Sequence, residues 1–255
     1  MSTIKGVKIH ESQRFEQEQT KLQEEPVTEE KPLRILINEE PFTVTMRTPG
    51  LDKELVIGLL YNEDIVRSMN DLVIILSTSD QMDTAEVTLP TAALREGYMS
   101  ARNFLSVSSC GVCGKTNLPE ISGQLAQGTA NHRVILSGLK RMRERQEIFE
   151  QTGGCHSAAV LDSLGSIIAI AEDIGRHNAV DKVIGSLLLE DHLKEAQTLL
   201  VSGRISYEIV IKCFRAKIPV LAAVSAPSSL AIDYAKELGI TLFAFCRENR
   251  LTRFS

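Results

Sequence analysis

Two cysteines in a run of small residues are the most reactive pair in the sequence. Cys110 and Cys113 lie in the segment SCGVCG, residues 109–114. Two intervening residues let both sulfurs face one point, so one thiolate can attack and carry a group while the other resolves the bond that is formed. Lys115 follows closely and favours the thiolate, which is the nucleophilic form. The spacing therefore predicts thiol chemistry at this pair.

The same pair fits two other interpretations. A structural zinc needs four ligands, and the sequence has no second C-x-x-C pair. Cys155 and His156 are the only compact candidates to complete such a site. A thioredoxin-like pair is disfavoured, because the aromatic and proline partners of that motif are absent. From the residues alone, thiol chemistry is favoured, while structural zinc and an inert pair stay open.

A second set of polar residues follows apolar segments of the C-terminal half. One such segment ends at Ser202-Gly203-Arg204, another at Ser225, and a third in a polar run. That run is Phe245, Cys246, Arg247, Glu248, Asn249 and Arg250. Arg176 and His177 open a helix after a fourth segment, although His177 alone also fits a structural role. Arginines and helix N-termini favour anions, so we expect a phosphate-bearing or nucleotide-like ligand. The sequence contains neither a Walker loop nor a G-x-G-x-x-G motif, so it gives no support for ATP or NAD as the ligand.

The C-terminal half also predicts the elements that position these residues. Short apolar strands alternate with helices, which is typical of an α/β sheet covered on both faces. A helix capped by Ser137 is predicted to run through 141–150 and to end near Gly153. Arg204 and Arg247 are expected to share the carboxyl edge of the sheet. The predicted strands are 157–161, 167–171, 199–201, 220–224 and 241–245.

Shifts in composition divide the chain into four predicted segments. Residues 1–31 are rich in Gln, Glu and Lys and predict a flexible tail. Residues 32–105 predict a smaller α+β region with a hairpin turn at 38–40. Residues 106–130 are rich in Ser, Gly, Cys and Thr, which predicts a mobile loop that carries the C-x-x-C pair. Residues 131–255 form the predicted α/β domain.

Composition narrows the class of protein. The chain of 255 residues has a net charge of -5 and a sequence pI of about 5.6, which disfavours an extended electrostatic interface with nucleic acid. No apolar run reaches the roughly 18–20 residues of a membrane helix, and the N-terminus lacks a signal-peptide pattern. Five cysteines form no dense disulfide framework. We therefore expect a cytoplasmic protein that binds neither nucleic acid nor membrane.

Several of these motifs together resemble the FdhD family of formate dehydrogenase accessory proteins. The resemblance rests on CGVCG at 110–114, TGG at 152–154 with His156, the whole run 172–185, SGR at 202–204 and SAP at 225–227. It covers the chain from about Pro32 to Phe254. The resemblance implies a sulfurtransferase with a cysteine persulfide intermediate, and a C-terminal domain with a cytidine-deaminase-like three-layer fold. The H/C-x-E and P-C-x-x-C motifs of a deaminase are absent, so deaminase chemistry is not expected.

The family also implies roles for particular residues. Cys110 is expected to carry a persulfide received from a cysteine desulfurase, with Cys113 as its partner. The sulfur then passes to the molybdenum cofactor, bis(molybdopterin guanine dinucleotide), which is destined for formate dehydrogenase. The expected cofactor-binding residues are Phe245, Cys246, Arg247, Glu248, Asn249, Arg250, Ser202, Gly203, Arg204, Ser225 and His177. Cys155 departs from the family pattern.

The resemblance implies a homodimer and no catalytic metal of the protein's own. An alternative is a cofactor-binding chaperone whose C-x-x-C pair is structural or binds zinc.

Overall fold

The structure is a computed structural model. It describes residues 4–17, 19–66, 72–95, 123–126, 128–129 and 131–255. Cys110 and Cys113 lie outside the described residues, as does most of the loop predicted for 106–130. Among the described helices, none combines the length and the apolar character needed to cross a membrane.

Where the sequence predicted a flexible tail over 1–31, the structure has a two-stranded antiparallel ribbon. Strand β1 (Val7–Glu16) pairs with β2 (Gln19–Thr28) over ten residue pairs. Only the base of the ribbon is buried, at Val7. Polar composition misled the prediction, because cross-strand hydrogen bonds and side-chain pairs can form a ribbon from polar residues.

The next unit is a four-stranded sheet with one helix against it. Its strands are β3 (Lys31–Ile37), β4 (Glu40–Arg47), β5 (Val73–Ser77) and β6 (Asp83–Thr88), in the order β4-β3-β6-β5. The β3–β4 hairpin turns at Asn38 and Glu39, which both have positive φ, so the predicted hairpin is confirmed. Alternate residues of β3 and β6 pack on helix α1 (Asp52–Asn62).

The C-terminal half is a six-stranded mixed sheet. Its strands are β7 (His156–Leu161), β8 (Ile167–Asp173), β9 (Thr198–Val201), β10 (Val220–Ala223), β11 (Thr241–Arg247) and β12 (Arg250–Arg253). The order is β12-β11-β10-β9-β7-β8. Strands β9, β10 and β11 are parallel, whereas β7 runs antiparallel to β9 and to β8.

Helices cover both faces of this sheet, as the apolar strands predicted. Helices α4 (Arg176–Leu189), α5 (Tyr207–Arg215) and α6 (Ser229–Glu237) share one apolar cluster with the sheet. Helix α2 (His132–Glu144) packs on the other face, and the short α3 (Glu147–Thr152) follows it. Three layers result, and the fold is mixed α/β.

The predicted helix cap at Ser137 is wrong. Helix α2 begins at His132, and the Asn131 side chain accepts a hydrogen bond from the amide of Arg133. Ser137 therefore lies inside α2. The segment contains two helices, because α2 ends at Glu144 before α3 begins. The end near Gly153 is confirmed, since Gly153 is the left-handed C-cap of α3.

The two units are joined by a close crossing of α1 and α4. A Cβ added at Gly58 would lie 1.9 Å from the carbonyl oxygen of Asp181. A Cβ added at Gly185 would lie 1.8 Å from that of Glu54. Glycine is therefore required at both positions, because the backbones of α1 and α4 lie too close together for a side chain. The crossing fixes α4, whose first turn lies at the carboxyl edge of the six-stranded sheet.

We predict that Gly185→Ala lowers the free energy of unfolding by about 2–3 kcal/mol, because the helices must separate to admit the methyl group. The intrinsic helix preference of alanine acts in the opposite direction by only about 1 kcal/mol. Urea denaturation followed by circular dichroism measures the change. Ser186→Ala is the matched control on the same turn and should shift stability by about 0.5 kcal/mol. Equal stability of Gly185→Ala and the wild type would contradict the crossing.

Candidate functional site

Several chain segments converge at the carboxyl edge of the six-stranded sheet. Parallel strands β9, β10 and β11 end there, and so does β8. Strand β7 begins at the same edge, because His156 pairs with Asp173 at the end of β8. Helices α4, α5 and α6 all begin just after these strand ends. Their N-termini direct unpaired backbone N–H groups toward this edge, which favours an anionic ligand.

Backbone hydrogen bonds hold the loops of this edge in one arrangement. The amide of Ile205 donates to the carbonyl of Ala226 at 3.0 Å, and Ser228 donates back to Ile205 at 2.9 Å. Phe245 donates to the carbonyl of Ser225 at 3.1 Å. Arg247 Nη1 donates to the carbonyl of Val224 at 2.6 Å. The predicted residues after β9, β10 and β11 therefore lie together along one fixed edge.

Ser202 is tied to the first residues of β7. Its Oγ accepts a hydrogen bond from the amide of Ser157 at 2.9 Å, and its own amide donates to the carbonyl of Ser157 at 2.9 Å. This double link continues the β7–β9 pairing past the end of β9. The Ser202 hydroxyl is engaged with backbone, and its interaction shapes the loop that carries Gly203 and Arg204.

His156 and Arg176 pack over Gly203. A Cβ at position 203 would lie 3.3 Å from His156 Nδ1, and 3.3 Å and 3.4 Å from Cβ and Cδ of Arg176. Arg204 follows directly and, with Arg176, acts electrostatically on the imidazole. Burial lowers the pKa of His156, and the positive charges of Arg176 and Arg204 lower it further. We call His156, Arg176 and Arg204 the cationic cluster.

The start of α4 is held by the buried carboxylate of Asp173. Its Oδ1 accepts from the amide of Gly175 at 2.8 Å and from Asn178 Nδ2 at 3.0 Å. Its Oδ2 pairs with Lys182 Nζ at 2.7 Å and accepts from the amide of Thr48 at 3.1 Å. Asp173 therefore joins the first turn of α4 to the segment between β4 and α1.

His177 is buried behind the cationic cluster. Its Nε2 lies 3.1 Å from Ser206 Oγ and 3.8 Å from a carboxylate oxygen of Glu208. These contacts place it at the start of α5. The structure shows His177 as a partner of the α5 N-terminus, and its assignment as a cofactor ligand stays a prediction.

Strand β11 carries a bulge at the predicted cofactor-binding run. Phe245 has a φ of 54, and the pairing with β12 shifts between Ala244 and Arg247. A bulge reverses the alternation of side chains, so Phe245 turns outward and is 44% exposed, whereas Cys246 is 3% exposed. Positive φ at a phenylalanine costs about 1–2 kcal/mol. Such strain is typical of functional sites.

The thiol of Cys246 does not open onto the edge, although sequence reasoning included it among the cofactor ligands. It belongs to the apolar cluster that includes Ile135 and Met142 of α2, on the face of the sheet away from α4, α5 and α6. Burial raises its pKa to about 11. Sequence alternation could not predict this placement, because the bulge is a feature of the β11–β12 pairing.

Cys155 and His156, which the sequence offered for completing a zinc site with the C-x-x-C pair, have different partners in the structure. Cys155 Sγ donates to Glu172 Oε1 at 3.2 Å, while the His156 ring packs on Gly203. Burial, together with the carboxylate of Glu172, raises the pKa of the Cys155 thiol. Within the described ranges, no group of three or more His, Cys, Asp or Glu side chains is placed to hold a metal ion.

Sequence reasoning placed Ser202, Gly203, Arg204, Ser225, Arg247 and Arg250 at one sheet edge, and the structure brings them there. The sequence also predicts an anion beside Arg176, at the start of its helix, but it does not predict His156 as a ligand of that anion. The signal for His156 is its position after a glycine pair and directly before a predicted strand. The C-x-x-C pair lies outside the described residues, so its position relative to this edge stays a prediction.

Comparison with known proteins places the chain in a family. The FdhD/NarQ family model matches residues 28–255. The chain belongs to the FdhD/NarQ family. The match begins at the end of the ribbon and covers both sheets, so the family pattern includes the cationic cluster and the bulged run.

Curated relatives are similar along most of their length. The Sulfur carrier protein FdhD of Sulfolobus acidocaldarius is 42% identical over 227 residues, covering 89% of this chain and 87% of the relative. The Sulfur carrier protein FdhD of Mycobacterium tuberculosis is 42% identical over 248 residues, covering 91% of this chain and 90% of the relative. A crystal structure from Desulfotalea psychrophila, assigned as a formate dehydrogenase accessory protein, has a TM-score of 0.75 at 23% identity. It covers 98% of this chain and 96% of that one, which establishes the fold.

The buried thiols give a direct test. Burial raises the pKa of Cys155, Cys213 and Cys246, so their thiolate fractions at pH 8 are small. We predict that iodoacetamide at pH 8 leaves these three cysteines unmodified in the native protein and modifies them in 6 M urea. Peptide mass spectrometry measures each site separately. Rapid native labelling of Cys246 would contradict its placement beneath α2.

Proposed function

We propose that this protein is a sulfur carrier in the maturation of formate dehydrogenase. It accepts sulfur from a cysteine desulfurase as a persulfide and delivers it to bis(molybdopterin guanine dinucleotide). The observation that supports this most is the convergence of helix N-termini and arginines at the carboxyl edge in a chain whose curated relatives are named sulfur carriers. A phosphate-bearing substrate suits that edge.

The loading step belongs to the C-x-x-C pair. The Cys110 thiolate attacks the outer sulfur of the desulfurase persulfide, so a new S–S bond forms on Cys110 and the donor leaves as a thiolate. Attack of the Cys113 thiolate on the inner sulfur of Cys110 then forms a Cys110–Cys113 disulfide. The outer sulfur leaves with the electron pair as sulfide, which becomes the ligand of the substrate metal. A thiol reductant reopens the disulfide for another cycle.

The cofactor-binding step belongs to the carboxyl edge. Arg204 lies after β9 and Arg247 at the end of β11, two strand spacings away, or roughly 10 Å. Arginines separated in this way can contact different phosphates of one dinucleotide. Phe245, two residues before Arg247 on β11, is exposed and has a positive φ, and it offers an aromatic face to a guanine base.

The proposal extends to the fold of the C-terminal domain. We infer a cytidine-deaminase-like C-terminal domain from the family resemblance, supported by the three layers and by the antiparallel first strand β7. A sulfur carrier needs an exposed sulfur and a bound cofactor, and neither of these requires deaminase chemistry. The cytoplasm, where cysteine thiols stay reduced, is the compartment that suits this chemistry.

The homodimer implied by the family has a candidate surface on the ribbon. Cross-strand register places Ile9, Phe15, Leu22 and Pro26 on one face of β1 and β2. Phe15 is 72% exposed and Leu22 is 75% exposed. An isolated two-stranded ribbon is marginally stable, so contact with a second copy would stabilise it.

Incubation with a cysteine desulfurase and cysteine tests sulfur loading. We predict a gain of one sulfur, about 32 Da, on the peptide that contains Cys110, because the carrier stores sulfur as a persulfide. Intact-protein and peptide mass spectrometry under non-reducing conditions measure it. Cys110→Ala should abolish loading, whereas Cys213→Ala, which alters a buried thiol, is the control. Zinc that co-purifies and is lost on replacing Cys110, without sulfur loading, would instead favour a chaperone.

Light scattering coupled to size-exclusion chromatography tests the ribbon surface. We predict a dimer for the wild type and a shift toward monomer for the double variant Phe15→Ser with Leu22→Ser, because both remove exposed apolar area. Leu164→Ser is the control, since Leu164 is 86% exposed in the β7–β8 turn. A monomeric wild type, or a double variant that stays dimeric, would exclude this surface.

A further inference from the structure

Two basic side chains meet over Gly203 at the carboxyl edge, and a third, Arg204, follows that glycine in the chain and acts electrostatically on His156. Gly203 lets His156 and Arg176 approach closely, since a Cβ there would lie 3.3 Å from an atom of each. The three basic side chains come from three different segments: the start of β7, the start of α4 and the loop after β9. The fold holds each of these segments by a separate contact. Ser202 fixes the loop after β9, Asp173 fixes the start of α4, and pairing with β9 fixes β7.

The cationic cluster has no protein counter-ion among the described residues. No carboxylate lies within 4.0 Å of Arg176 or Arg204 in those ranges, and neither arginine has a further partner there. The Nε of Arg176 is buried without a hydrogen-bond partner. A buried guanidinium N–H normally has an acceptor, and an unmade bond is costly. This donor is available to an anionic acceptor at the edge.

The carboxylate that acts on His156 already has other partners. Asp173 faces His156 from β8, but both of its oxygens bind other donors, which are the amides of Thr48 and Gly175, Asn178 and Lys182. The charged and titratable groups that act on His156 are Arg176 from α4, Arg204 from the loop after β9 and Asp173 from β8. Two positive charges oppose one negative charge that Lys182 already neutralises.

We propose that the cationic cluster binds one phosphate group of the ligand, and that His156 takes up a proton when this group binds. This inference deepens the proposed function, on which it rests only for the identity of the ligand. A tetrahedral dianion supplies an acceptor for Arg176 Nε and balances the charges of Arg176 and Arg204. Its negative charge also offsets the repulsion by Arg176 and Arg204, which adds to burial in lowering the pKa of His156 in the free protein.

The sign of the coupling follows from the charges. Burial and the two arginines lower the pKa of His156 in the free protein, so the ring is neutral at pH 7. A bound dianion favours the imidazolium and raises the pKa of His156. Dianion affinity therefore rises as pH falls through the bound-state pKa, and it levels off below the free-state pKa. Release of the ligand is favoured when the proton leaves.

Sulfate is the probe, because it is a tetrahedral dianion that does not titrate between pH 5 and 8. Nuclear magnetic resonance of the histidine imidazoles, in sodium chloride or in sodium sulfate at equal ionic strength, measures the pKa of His156. His156→Asn assigns the resonance. We expect sulfate to raise this pKa by about one unit, which corresponds to about tenfold coupling. The exposed His192, paired with Glu195, should respond equally in both salts.

Arg176→Gln separates a binding role from a structural one. In chloride the variant should raise the pKa of His156, because one positive neighbour is removed. In sulfate it should lose most of the further rise, because the ligand has lost a donor. Arg145→Gln, at the exposed end of α2, should match the wild type.

A pKa of His156 that is the same in chloride and sulfate would overturn the proposal. So would a sulfate response that Arg176→Gln leaves unchanged. Neither readout involves sulfur loading, so the two proposals fail separately. A sulfate response at His156 without any persulfide on Cys110 would leave the anion site standing and remove the carrier function.

Discussion

The carboxylate of Asp173 is the interaction on which the site depends. It is fully buried, and it receives four donors from the N-cap of α4, the first two turns of α4 and the segment between β4 and α1. A buried ion pair is weak evidence for stability, because desolvation offsets most of its attraction. Its better-supported role here is geometric. It sets where α4 begins, and therefore where Arg176 lies relative to His156 and Gly203.

This constraint connects the two sheets. Lys182, the partner of Asp173, also donates to the carbonyl of Thr48 at 2.8 Å, and the Thr48 hydroxyl accepts from the amide of Ile174 at 3.1 Å. The glycine crossing of α1 and α4 fixes the same pair of units a few turns further along. The small N-terminal sheet therefore acts as a support for the edge of the larger sheet, since both contacts hold α4 in one position.

The edge itself could be predicted from sequence. Apolar strands that end in serine, glycine and arginine predict a common edge, because parallel strands bring their carboxyl ends together. The ribbon at 7–28 could not be predicted, since its residues are polar and its stability comes from cross-strand pairing. The burial of Cys246 was also hidden, because the bulge at Phe245 reverses the alternation. Arg176 and His156 come from separate segments, and only the folded arrangement of β7, α4 and the loop after β9 brings them together over Gly203.

We propose that the loading and the delivery of sulfur use separate parts of one chain. A single-turnover transfer of radiolabelled sulfur from the persulfide on Cys110 to the guanine dinucleotide cofactor tests this most directly. The account predicts that Arg176→Gln loads sulfur as well as the wild type and Arg145→Gln do, yet delivers it at least about tenfold more slowly, because a charged donor to the ligand is lost. Delivery by Arg176→Gln at the wild-type rate would contradict the account.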